Sequence, residues 1–301
     1  MPKNATIPSC LEILAINADC WPNAVTFNDD GRKVLAAGFG SPQIFDATTG
    51  VHEGEFVKAT SPNSDGVCWA LTSVDSKLVV GVVYDAVAVW TSDGTRCLRT
   101  VISPGGIVSS VAITSDRKTV VFGTWGKHLV CVDFKSGDIR WDVKLKTSFS
   151  GKVAIALDGQ HCITAGNDKT IRLFDLRNGA ESHVIGTHAG YVQGLAVLPD
   201  GKRVLTASRD KTICLWDIHN AMLLATLSGH RKEIRTLGIT LDGRLAISAG
   251  GDGARVWDLA SNTEIATFNN HGKSITCLSI SGNTTVVTGA EDGHLRIWRL
   301  P

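Results

Sequence analysis

The feature that most constrains this chain is a repeat of about 42 residues. Each copy contains an aromatic or bulky apolar residue, followed in most copies by Asp. The intervals between these anchors are 45, 42, 42, 42, 41 and 41 residues. The anchors are Phe45, Trp90, Val132, Phe174, Trp216, Trp257 and Trp298. Seven anchors at nearly constant spacing indicate seven copies of one supersecondary unit.

Each copy has the same internal order, which is clearest in residues 188–227. Four short segments rich in β-branched and apolar residues, VQGLAV, RVLTAS, TICLWD and LLATL, are separated by turn sequences. An Asp-Gly turn recurs at Asp30-Gly31, Asp158-Gly159, Asp200-Gly201 and Asp242-Gly243. No segment repeats its apolar residues every 3.6 positions, so the sequence predicts an all-β fold built from hairpins.

A four-stranded antiparallel sheet cannot bury both of its faces alone, so such units must stack on one another. Seven twisted sheets arranged radially close into a ring that leaves only short edges. We therefore predict one domain over residues 1–301, a seven-bladed β-propeller with four antiparallel strands per blade.

Three of the copies also carry four polar residues at fixed spacing: a histidine, a hydroxyl residue, an aspartate and the anchor tryptophan. These sets are His188, Thr206, Asp210 and Trp216; His230, Ser248, Asp252 and Trp257; and His271, Thr288, Asp292 and Trp298. With the repeat length, they resemble the WD-repeat family over essentially the whole chain.

The resemblance implies that each set is a hydrogen-bonded tetrad within one blade. The imidazole can donate to the carboxylate and accept from the hydroxyl, and the hydroxyl can accept from the indole N–H. Removing one member would leave a buried polar group unpaired, at a cost of about 1–3 kcal/mol.

The tetrad is incomplete in the other four blades. Blade four retains Thr164 and Asp168 but has Phe174 in place of Trp, and blade two retains Asp85 and Trp90. Blades one and three lack the turn aspartate. We expect the N-terminal half to depend more on packing and on hairpin turns than on these networks.

The ends of the chain predict how the ring closes. The chain stops just after the third strand of blade seven, whereas residues 10–16, CLEILAI, precede blade one as an additional strand. We predict that this N-terminal strand completes blade seven.

Histidine, a hydroxyl residue and aspartate together also suggest a catalytic triad. Because the same set recurs once per blade with a tryptophan, a structural role is favoured, and no other catalytic motif is present. Asp65, Glu233 and Glu291 occupy positions that could face the channel mouth, where they would bind a metal ion or, as we favour, pair with neighbouring arginines. We therefore expect no enzymatic activity, no cofactor and no metal.

Net charge and hydropathy restrict the partners and the compartment. The formal net charge is +1 without a run of like charges, so nucleic acid is not expected as a direct ligand. No stretch approaches the roughly 20 apolar residues of a membrane span, and no signal peptide is recognisable. The eight cysteines are scattered singly, which is typical of a reducing compartment. We expect a cytoplasmic or nuclear protein, monomeric as a ring and part of a larger complex.

The resemblance also implies that partners bind the narrow top face of the propeller. The repeat register predicts which side chains lie there, and it yields a ring rich in aromatic residues and arginines, the types enriched at binding hot spots. The candidates are Trp21, Tyr84, Trp125, Phe149, Tyr191, Gln193, Arg209, Glu233, Arg235 and Glu291. Each aromatic taken alone could equally pack between blades, and we assign Trp69 and Trp141 to packing.

Residues 162–177 resemble the sixteen-residue box by which some WD-repeat proteins dock onto the adaptor of cullin-type ubiquitin ligases. Asp168, Asp175 and Arg177 match that pattern, but Phe174 replaces its usual tryptophan.

The hypothesis favoured by these observations is a non-enzymatic scaffold that nucleates a multi-protein complex through its top face. The alternatives are a substrate receptor of a cullin-type ubiquitin ligase, an enzyme or ligand binder that uses the channel mouth, and a reader of RNA or chromatin.

Overall fold

The regular elements in the computed structural model, which describes residues 11–18, 21–38, 40–59, 68–145 and 151–301, are all β-strands. They form seven antiparallel sheets of four strands each. The all-β, seven-bladed propeller predicted from the repeat is thereby confirmed. Phe149 and Asp65 lie outside the described residues.

The first strand in the described residues is β1 (Leu11–Asn17), and the blades follow it in order. Blade one contains β2 (Ala24–Phe27), β3 (Lys33–Ala37), β4 (Gln43–Asp46) and β5 (His52–Glu55). Blade two contains β6 (Cys68–Ser73), β7 (Leu78–Val83), β8 (Ala86–Thr91) and β9 (Cys97–Ile102). Blade three contains β10 (Val108–Ile113), β11 (Thr119–Thr124), β12 (His128–Asp133) and β13 (Ile139–Lys144).

The C-terminal half continues the same pattern. Blade four contains β14 (Lys152–Ile155), β15 (His161–Ala165), β16 (Thr170–Asp175) and β17 (Glu181–Thr187). Blade five contains β18 (Val192–Val197), β19 (Arg203–Ser208), β20 (Thr212–Asp217) and β21 (Met222–Ser228). Blade six contains β22 (Ile234–Ile239), β23 (Leu245–Gly250), β24 (Gly253–Asp258) and β25 (Thr263–Phe268). Blade seven contains β26 (Ile275–Ser281), β27 (Thr285–Ala290) and β28 (His294–Arg299).

The first strands of the blades surround the central channel. Each contacts the first strand of the next blade, and β26 of blade seven contacts β2 of blade one, which closes the ring. The hydrophobic core lies between neighbouring blades; one cluster, for example, joins Leu205 and Leu215 of blade five to Leu237 and Trp257 of blade six. The predicted Asp-Gly turns form with their glycines at φ between +65° and +71°, a region that favours glycine.

The fourth strand of blade seven comes from the other end of the chain. β1 pairs antiparallel with β28, and the sheet order is β1-β28-β27-β26. Ile16 of β1 is buried in a cluster that also contains Val25 of blade one and Ile297 of blade seven. The predicted closure is confirmed, with the strand one residue further along the chain than residues 10–16.

The three predicted tetrads are hydrogen-bonded. In blade five the His188 Nδ1 to Asp210 Oδ2 distance is 2.9 Å, and the His188 Nε2 to Thr206 Oγ1 distance is 2.7 Å. The Trp216 indole N–H donates to the same hydroxyl at 2.8 Å. Equivalent bonds join the four residues in blade six and in blade seven. Each network ties the loop before a blade to its second and third strands.

Blade two shows how an incomplete tetrad is replaced. Gly81 occupies the position of the hydroxyl residue, and a Cβ there would lie 2.9 Å from Cζ3 of Trp90. The Trp90 indole N–H instead donates to the carbonyl of Val57 in the chain that follows blade one, at 2.9 Å. This hydrogen bond links two blades, whereas a tetrad holds one blade together.

Candidate functional site: the channel mouth

In five of the seven blades, a β-bulge near the start of the first strand directs one side chain toward the channel. The pairing register shifts by one residue in five blades, and the residues at the shift are Trp69, Ser109, Gln193, Arg235 and Thr276. Bulges of this kind re-aim a side chain. All five line a cavity at one end of the channel, together with Asn23 of blade one and Lys152 of blade four. We call these seven residues the channel-mouth ring.

The channel-mouth ring encloses a cavity of about 350 Å³, to which Trp125 and Arg209 also contribute. Both of these residues lie next to the turn between the second and third strands of a blade, so we call this end of the propeller the mouth face. A second cavity of about 870 Å³ shares Arg209 and Arg235 with the first and extends outward over blades five to seven.

The side of the mouth formed by the N-terminal blades is aromatic. The rings of Trp69 and Trp125 are 6.4 Å apart, and Trp125 is 50% exposed. Trp21 is 58% exposed, and Tyr84 lies half-buried in the β7–β8 turn at φ +50°. Trp69 packs against the core between blades two and three, as assigned, and its bulge also places it in the lining of the cavity.

The side formed by blades five to seven is cationic. The Arg209 guanidinium lies over the Tyr191 ring at 5.5 Å from its centroid, and Arg209 Nε is 3.4 Å from Glu233 Oε2. Arg235 pairs with Glu233 at 3.0 Å and also pairs with Glu291. The favoured interpretation of these two glutamates, salt bridges with neighbouring arginines, is therefore correct.

The repeat register did not predict several of the cationic side chains on this surface. Lys211, Arg231, Lys232 and Lys273 line the outer cavity, and none of them forms an ion pair with a residue that the structure describes. The net charge of the whole chain does not reveal these residues, because the excess of positive charge is confined to this surface. Their positions beside the tetrad histidines and aspartates of blades five to seven could have indicated this shared face, since the repeat register places those loops at one end.

Three buried polar atoms at the mouth have no hydrogen-bond partner within the described ranges. They are Asn23 Nδ2, Trp69 Nε1 and Gln193 Oε1. Their side chains all line the inner cavity. Unpaired buried polar atoms are costly, and these three have almost no area accessible to solvent.

The tetrads do not expose a reactive group. The hydroxyl-bearing residues Thr206, Ser248 and Thr288 are fully buried. Burial would raise the pKa of the Asp210 carboxyl, but hydrogen bonds from the Thr212 hydroxyl, the Thr212 N–H and His188 outweigh it and lower that pKa to about 2. Burial lowers the pKa of His230 and of His271. The aspartate is thus ionised at neutral pH and the two histidines are neutral, as a static hydrogen-bond network requires.

The residues that matched the ubiquitin-ligase docking box do not come together. Asp168 lies at the mouth face, where it accepts a hydrogen bond from Thr170 at 2.6 Å and pairs with Arg172 at 3.2 Å. Asp175 and Arg177 lie at the opposite end of the propeller and pair with each other at 2.6 Å. The Arg177 side chain is 77% exposed.

Comparison with known proteins identifies the repeat. A family model described as WD domain, G-beta repeat, matches residues 144–175, 179–217, 221–258 and 262–299. The last three matches each run from the fourth strand of one blade through the first three strands of the next. Autophagy-related protein 16 of Arabidopsis thaliana is 25% identical over 135 residues, which cover 41% of this chain. The chain thus matches only about a quarter, 26%, of the length of that relative.

Two properties of the described residues bear on other kinds of site. They include no helix of the length and apolarity that a membrane crossing requires. No three His, Cys, Asp or Glu side chains among them are grouped so that they could hold a metal ion.

Proposed function

The chain belongs to the WD-repeat β-propeller family, and on that premise we propose that it is a non-enzymatic scaffold that holds partner proteins at its mouth face. The ring acts as a rigid monomer within a larger complex of the cytoplasm or nucleus. The free state of the six described cysteines supports such a compartment.

The observation that carries this proposal is the gathering of exposed aromatic side chains and arginines around one cavity. Tyr191 is 42% exposed although Arg209 covers one face of its ring, and Trp125 stands on the other side of the same mouth. Tyr, Trp and Arg dominate binding hot spots because they bury large areas with little loss of conformational entropy. Concave surfaces with convergent polar groups are also the usual form of binding sites.

Affinity capture from a native extract tests the proposal. We expect the wild-type protein to recover stoichiometric partners and the double variant Tyr191→Ala, Arg209→Ala to lose them, because the two side chains form one contact surface. The variant should melt at the same temperature as the wild type, since both side chains are exposed. Intact binding by a folded variant would contradict the proposal.

Arg177→Ala is the matched control, because it removes an exposed arginine from the opposite face. We expect this variant to retain its partners. Loss of a ubiquitin-ligase adaptor from Arg177→Ala alone would instead favour the second candidate function, a substrate receptor. That candidate is supported by the exposure of Arg177 and weakened by Phe174, which fills the tryptophan position with a side chain that has no N–H.

A further inference from the structure

We propose that the channel mouth binds the carboxylate of an aspartate or glutamate side chain, carried by an extended acidic segment of a partner protein that lies across blades five to seven. This inference rests on the proposed function, because it names the chemistry of the partner held at the same face.

Lys152 provides an unpaired positive charge within the inner cavity, whereas Arg209 and Arg235 there are paired with glutamates. It is accessible to solvent and forms no ion pair with any residue in the described part of the chain. The channel walls surround it, and the resulting desolvation lowers the pKa of its ammonium group. A carboxylate beside it would compensate this desolvation, because an opposite charge favours the charged form of the amine.

Two further donors belong to side chains that line the same cavity. Asn23 Nδ2 and Trp69 Nε1 are buried N–H donors whose side chains line the cavity, and neither has a partner in the described ranges. A carboxylate has two oxygens and about four lone-pair positions, so it can accept from several donors at once. Hydrogen bonds to an ionised acceptor are stronger than those between neutral groups.

The lining of the outer cavity also favours negatively charged groups of a ligand. Its lining includes six cations, Arg209, Lys211, Arg231, Lys232, Arg235 and Lys273, against two carboxylates, Glu233 and Glu291. Of the tetrad aspartates of these blades, Asp252 pairs with Arg255 and Asp292 with Arg296. A segment that leaves the mouth over blades five to seven therefore meets a net positive surface.

The arrangement of these charges favours a peptide over a nucleic acid. A polynucleotide carries a negative charge at every phosphate, so a carboxylate along its binding track repels it. Here Glu233 and Glu291 lie among the cations. A peptide can place its carboxylates opposite the lysines and uncharged residues opposite the glutamates.

Peptide selection followed by a double-mutant cycle tests the inference. Random twelve-residue peptides displayed on phage would be selected on the wild-type protein, on Lys152→Gln and on the opposite-face control Lys135→Gln. We expect the wild type and the control to select peptides that share an acidic position and Lys152→Gln to lose that preference. The three proteins should have equal melting temperatures.

The strongest selected peptide would then be labelled with fluorescein and measured by anisotropy. Lys152→Gln in the protein and the acidic residue replaced by its amide in the peptide should each weaken binding about tenfold or more. Together they should weaken it little more than either alone, because both remove one contact. Lys135→Gln should leave the affinity unchanged.

Several results would overturn the inference. One is the selection of peptides without a shared acidic position, and another is the failure to select any peptide. A third is a double-mutant cycle in which the loss of binding free energy from Lys152→Gln and the loss from the amide peptide add up to the loss measured for both together. Tighter binding of a fluorescein-labelled twelve-nucleotide oligouridine, weakened by Lys152→Gln, would assign the mouth to nucleic acid. The proposed function fails by a different result, the capture of the same partners by the double variant Tyr191→Ala, Arg209→Ala. If that double variant lost its partners and Lys152→Gln kept them, the scaffold function would stand and only the acidic ligand would be excluded.

Discussion

At the scale of single residues, the surroundings of the tetrad hydroxyl separate a structural network from a catalytic one. Ser248 is fully buried; its oxygen lies 2.7 Å from His230 Nε2 and accepts from Trp257 Nε1 at 2.8 Å. A nucleophile needs a free approach for its substrate, whereas this oxygen is enclosed by its own partners. The recurrence of the set in three blades therefore reflects three equivalent structural requirements.

Ser248→Ala tests this structural role. The substitution leaves the indole N–H of Trp257 and Nε2 of His230 unpaired in the interior. We expect the free energy of unfolding, measured by urea denaturation, to fall by about 2–4 kcal/mol, since each stranded group costs about 1–3 kcal/mol.

Ser182→Ala is the control, because Ser182 is exposed on the outer strand β17; such surface changes are usually within about 0.5 kcal/mol. Equal stabilities of the two variants would contradict a structural tetrad.

At this scale the sequence predicted the tetrads well and the mouth only in part. The tetrad positions follow a regular spacing along the sequence. The place of Trp69 in the cavity lining was missed because blade two lacks the histidine that sets the register in blades five to seven. Lys152 was missed because no bulge marks β14 and the preceding repeat signals are weak.

At the scale of elements, the ring depends on one strand that is distant in sequence from the sheet it completes. β1 covers the edge of β28, and its residue Ile16 is only 3% exposed between blades seven and one. Without this strand the ring would end on an unpaired edge, which proteins generally avoid exposing. The position of an additional strand before the first repeat was enough to predict this pairing.

Deletion of residues 1–17 should lower the melting temperature by about 10 °C or more. It removes the pairing of β1 and several kcal/mol of buried contacts. Ile16→Ala should reproduce part of the loss, at about 2–4 kcal/mol. Ala15→Ser, at an exposed position of the same strand, is the control and should have little effect. Calorimetry measures the melting temperatures. An unchanged melting temperature of the deletion variant would contradict closure of the ring by β1.

At the scale of the whole molecule, the ring places an aromatic sector and a cationic sector on either side of one cavity. Trp69 and Trp125 come from blades two and three, whereas Arg209, Arg235 and Lys232 come from blades five and six. The repeat alone predicted the number of blades, and the family resemblance implied the face at which we expect partners to bind. The division into two sectors could not be predicted from a net charge of +1, because it arises only when distant loops meet at the mouth.

The central claim is that partners engage the mouth face, and site-specific photo-crosslinking tests it most directly. A photoreactive phenylalanine analogue would replace Trp125 at the mouth or, as the control, Leu241, which is 76% exposed on the opposite face. Crosslinking in a native extract should join a partner protein to the probe at residue 125 and not to the probe at residue 241. Crosslinks formed at residue 241 with none at residue 125 would contradict the claim.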